Sequence, residues 1–159
     1  MSPRHFALLP RPVIVAIACA LVAANAHNAI ARPAAIDPCS LLTSAQVKAV
    51  FGVDIAAPSA ISQTACMWKS TGAKVQMATV AIQPPGTSWE HMKVVLPTVP
   101  IKPLSGVGDD AFYQPLGTFT PLAVKKGKTI VIIKTYGVGA PATQEAYEKA
   151  LALDVVKHL

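Results

Sequence analysis

Cys39 and Cys66 are the residues whose type and spacing offer the most chemistry. A cysteine nucleophile needs a histidine base and an acid or amide to orient that base. His91 and His158, with His27 if an N-terminal segment is cut early, stand in no such motif. A zinc site wants four ligands, usually in close pairs, which two isolated cysteines do not supply. An even pair of cysteines in an oxidising compartment bridges by default. Such a bridge closes a loop of roughly 28 residues, worth on the order of 3.5 kcal/mol in the chain-entropy description. The competing reading is a reactive or redox thiol.

The other clusters are weaker. Asp109-Asp110 is the one acidic pair, and two carboxylates fall well short of the six or more oxygens calcium takes. Turn chemistry, with Asp accepting from backbone N–H groups, accounts for them better. Gly106-x-Gly108 is not followed by a helix, so it lacks the context of a phosphate cradle. No Gly-x-Ser-x-Gly elbow holds a serine. Trp89, next to His91 and Met92, is a candidate groove residue, although its large apolar body favours packing. Lys125, Lys126 and Lys128 form a basic tip, without the interleaved aromatics that stack nucleic-acid bases. This excludes a nucleic-acid partner and leaves a weak attraction to an anionic membrane surface. No catalytic residue, metal site or cofactor is expected, and the protein reads as a non-enzyme.

The chain's first residues set the compartment. Arg4 and Arg11 precede the apolar run Val13 to Ala24, and small-x-small cleavage sites follow at Ala24-Asn25-Ala26 and Ala29-Ile30-Ala31. That order is a secretory signal peptide, too short in its apolar run for a comfortable span. The protein is therefore expected in the periplasm or outside the cell, cut after Ala26 or Ala31. A lipid anchor at Cys19 is disfavoured, because Ala16 is small for a lipobox and the apolar run continues beyond the cysteine. Losing Arg4 and Arg11 takes the 14 basic residues to 12 against 8 acidic ones, a net charge of about +4.

These residues must be positioned by one domain. The reading is a signal over 1–31, an extended Pro- and Ala-rich leader over 32–38, and a single domain over 39–159. Thr43 and Gln46 make a capping box ahead of Val47, Val50 and Phe51, and Gly52 stops that helix. Residues 61–70 read as one strand with Cys66 and Trp68 on the same face, turning at Thr71-Gly72 into a strand over 74–83. Thr87 or Ser88 caps a helix from Trp89 that Pro97 ends, and a proline-rich loop runs from Pro97 to Gly106. A short strand through Phe112 and Tyr113 follows. Then come two strands joined at Lys126-Gly127, the second (Thr129 to Tyr136) apolar enough for a central position. Thr143 caps a last helix with Glu145 early and Lys157 and His158 late, as the helix dipole prefers. The order α-β-β-α-β-β-β-α implies an α+β fold: a mainly antiparallel sheet of about five strands with helices packed on one face.

Taken together, the signal, "DPCSLLTSAQVKAVFG", "CMW" and "GVGDDAFY" resemble a family of small bacterial envelope proteins and lipoproteins of unknown function. The likeness runs from Asp37 to Leu159. It implies a Cys39–Cys66 disulfide with Trp68 packed near it, and it implies no catalytic residue. The expected function is thus non-catalytic binding of an envelope protein or small ligand. The alternatives are a thiol-dependent or hydrolytic periplasmic enzyme, and a surface-associated structural protein attached through Lys125, Lys126 and Lys128.

Overall fold

The structure, a computed structural model, describes residues 35–94 and 99–159. The expected signal peptide, its two candidate cleavage sites and Cys19 lie outside the described residues, as does Pro97, expected to end the second helix. Ala35–Leu159 forms one compact unit. The fold is α+β, with a seven-stranded antiparallel sheet, three α-helices and a Cys39–Cys66 disulfide.

The chain opens in a single 3-10 turn, Pro38–Ser40, whose first N–H groups are capped by the Asp37 carboxylate at Cys39 N. Helix α1 (Ser44–Phe51) follows with the capping box complete, since Thr43 and Gln46 exchange backbone-to-side-chain bonds. Gly52 ends it in the left-handed region, at φ 71°. Strands β1 (Ser59–Ser62), β2 (Ala65–Lys69) and β3 (Met77–Ile82) form a meander. Helix α2 (Trp89–Val94) leads to β4 (Lys102–Leu104), β5 (Asp110–Tyr113), β6 (Leu122–Lys126) and β7 (Thr129–Tyr136). Helix α3 (Pro141–Val155) closes the chain. Across the sheet the order is β1-β2-β3-β7-β6-β5-β4, so the apolar β7 takes the centre.

The sheet has seven strands, not five. Residues 61–70 hold the end of one strand and the whole of the next, turned at Gln63-Thr64 without Gly or Pro. There the Ser62 hydroxyl accepts from Thr64 N, a side chain doing the work of a backbone turn. The proline-rich loop contains β4, where Pro103 is tolerated because β4 is an edge strand. The helices differ from expectation as well, for they lie on both faces. Helices α1 and α3 cover Cys66, Trp68, Val80, Leu122, Val131 and Ile133. Helix α2 packs on the other side, where Phe112, Ala123 and Ile130 point by period-2 alternation and need cover. Helix α3 also starts earlier than Thr143. Pro141 sits in its first turn, where a missing N–H costs nothing, and Lys157 and His158 fall in a terminal 3-10 turn.

The disulfide joins the 3-10 turn to β2 with the two Cα atoms 5.1 Å apart. Cys66 and Trp68 share the main core at no exposure, so the bridge is built into that core. No helix among the described residues is long and apolar enough to cross a membrane.

Candidate functional site

The two carboxylates of Asp109-Asp110 are engaged in holding elements together. Gly108, at φ 63°, brings the chain so close to β6 that an added Cβ would meet the Lys125 carbonyl at 2.5 Å. Asp109 then accepts from Gly127 N at 2.6 Å and from Lys126 Nζ at 3.1 Å, latching the β6–β7 turn. Those two contacts hold its carboxyl below the usual range. Asp110 points the other way. It accepts from Lys93 Nζ at 2.8 Å and Trp89 Nε1 at 2.7 Å, and these lower its pKa in that order of effect. The acidic pair therefore ties both the hairpin tip and α2 to β5.

That arrangement places the remaining sequence candidates. Trp89 is buried, with its ring centroid 5.0 Å from that of Phe112, and forms the second small core instead of a groove wall. Lys125 and Lys126 diverge to opposite faces by strand alternation, and Lys126 pairs with Asp109. Lys128 stands in the exposed turn. The three lysines do not converge. Cys39 and Cys66 are joined, so neither offers a thiol. Among the described residues no group of three or more His, Cys, Asp or Glu is close enough to hold a metal.

A different surface stands out, on the side of the sheet opposite α1 and α3. Helix α2 covers only part of it, over β5, β6 and the start of β7. Across β2, β3 and β7 the register aligns Met67 with Thr79 and Lys134, and Ala65 with Ala81 and Ile132. The next row out aligns Lys69 with Met77 and Tyr136. No described helix lies over these rows, and their side chains are half-buried except for exposed Lys69. Phe119 stands at the margin, edge-on to Tyr136 with centroids 5.4 Å apart. Beside α2 the floor deepens into a cavity of about 90 Å³ walled by Met92, Leu116, Pro121, Ala123 and Ile132, with Gln114 and Lys134 as its polar groups.

Sequence reasoning missed this surface. The signals were a lysine inside the apolar run of β7 and the placement of the chain's methionines. Of the four, all three within the described residues (Met67, Met77 and Met92) line it or its rim. A thioether side chain is flexible and polarisable, suiting it to contact surfaces that must adapt.

One buried group lies on the closed side. Glu148 of α3 has no exposure, and its Oε1 accepts from Thr135 N at 2.8 Å and Thr135 Oγ1 at 3.1 Å. Its Oε2 is buried without a partner among the described residues. Burial pushes this carboxyl up to about 8, against the lowering effect of the Thr135 bonds. A protein interior favours the uncharged form of a carboxyl that no cation contacts.

Comparison with protein-family models, with curated proteins and with solved structures finds no match to the chain.

Proposed function

We propose that this is an exported, non-catalytic binding module of the cell envelope whose recognition surface is the open half of the sheet. The observation that carries the proposal is that surface itself: Met67, Met77, Thr79, Ala81, Ile132 and Tyr136 with no described helix over them. Sheet faces of this composition are normally packed away, and a contiguous apolar area left open marks an interaction site. The signal-like N-terminus supports the compartment, and the disulfide fits an oxidising one. The resemblance to small envelope proteins points the same way.

The reading is tested by photo-crosslinking in the cell that makes the protein, with a benzophenone amino acid at Thr79 or, as a control, at exposed Lys149 on α3. A discrete adduct from Thr79 and none from Lys149 is expected. Equal adducts from both positions, or none from either, would contradict the proposal.

A further inference from the structure

We infer that the cavity between α2 and the open sheet face binds a single-chain amphiphile with a carboxylate head. This rests on the open-face reading and names the chemistry it would recognise.

Shape comes first. The cavity holds about 90 Å³ and its walls are apolar apart from two groups. A water needs roughly 10–15 Å³ by this measure, so the space is several waters deep and takes a few methylenes. Its Ile132 and Lys134 wall adjoins Ala81, Thr79 and Met67, the neighbouring strand positions on that face, so a longer chain can run along them. Two acyl chains side by side would not enter.

Charge decides the head group. Lys134 rises from the floor of the face, with neither a salt bridge nor a hydrogen bond from its ammonium group to any described residue. The Gln114 amide, which lines the same cavity, also makes no side-chain bond among the described residues. Lys69 and Lys125 project from the same face by register. The one carboxylate on those strands, Asp110, is already held by Lys93 and Trp89. The apolar floor thus carries the Lys134 ammonium, with no salt-bridge partner among the described residues, and Lys69 further along the same face, which favours an anion and repels a cation. An ammonium and an amide N–H₂ side by side supply donors for both oxygens of a carboxylate.

The test is calorimetric titration of the full mature chain with decanoate below its micellar concentration. Decyltrimethylammonium, decanol and acetate serve as comparison ligands, and phosphatidylglycerol vesicles as a bilayer arm. Saturable one-to-one binding of decanoate is expected, with decanol at least 10-fold weaker and no binding of the cation or of acetate. Lys134→Met should weaken decanoate at least 10-fold, while Lys128→Met keeps it within about 2-fold. An unchanged urea midpoint for each variant separates loss of binding from loss of fold. Equal binding of the cationic and anionic amphiphiles, or an unaffected Lys134→Met, overturns the inference. Vesicle flotation that depends on Lys134 would shift the site to a bilayer surface and overturn it too. Failure of decanoate to bind while Thr79 still crosslinks overturns this inference alone; failure of both removes the open-face reading with it.

Discussion

Asp109 and Asp110 show how adjacent residues acquire separate tasks, one carboxylate closing a hairpin turn and the other docking a helix through Trp89 and Lys93. Their type and position were legible in the sequence, and their partners were not, because Trp89 and Gly127 lie about 20 residues away on either side. Glu148 was hidden altogether: in sequence it is one more charge in a helical run, and only burial against Thr135 gives it meaning. Its pKa of about 8 in the fold lies above the 4.5 of a free glutamate. The folded state therefore holds a proton that the unfolded chain releases, and stability falls as pH rises between those values. The contribution is full below pH 4.5 and lost as pH passes 8, with Glu145, Lys134 and Tyr113 the charged or titratable neighbours. Glu148→Gln should flatten that slope, measured as urea midpoints at pH 5, 7 and 9; a parallel slope in both proteins would refute the assignment. Two glycines offer a second comparison at this scale. Gly52 and Gly137 share a positive φ near 70°, yet an added Cβ meets nothing at Gly52 and collides with the Val75 carbonyl at Gly137. Gly52→Ala should cost about 1–2 kcal/mol from backbone strain alone, and Gly137→Ala clearly more, read from thermal unfolding.

At the scale of elements, the disulfide and the capping box act on the same few residues. The 3-10 turn carrying Cys39 and the start of α1 are short, and short helices are marginal without tertiary support. Replacing both cysteines by serine should lower stability by about 2–4 kcal/mol, seen as a reduced urea midpoint. Dithiothreitol should have the same effect on the natural protein and none on the variant. The elements that sequence patterning placed well were those with strong local signals: α1 with its Thr43-Gln46 box and Gly52 stop, and β6–β7 around Gly127. Those it misplaced lacked such signals or gave contrary ones. The β1–β2 turn contains no Gly or Pro, β4 carries a proline, and α3 starts at Pro141 with no side-chain cap. The side of the sheet that α2 covers depended on a long-range fact, the demand of Phe112, Ala123 and Ile130 for burial. The open face was illegible for the same reason, since Met67, Thr79 and Lys134 are neighbours only after three strands pair.

At the scale of the molecule, charge is distributed unevenly in a useful way. All eight acidic residues have an internal partner: Asp37 caps a turn, Glu148 meets Thr135, and the other six meet lysines. Lys69, Lys125 and Lys134, all on the open side of the sheet, pair with no carboxylate among the described residues. The whole therefore presents one side closed by α1 and α3 and one apolar side fringed with positive charge. Methionine oxidation tests this most directly, because Met67, Met77 and Met92 all report on the open side. Hydroxyl-radical footprinting would compare the purified protein with the protein in the cells that make it. The account predicts that the three methionines are oxidised readily in the purified protein and protected several-fold in the cells, while exposed Leu153 on α3 is labelled equally in both. Equal labelling of Met67 and Met77 in the two settings, or protection centred on α3, would contradict it.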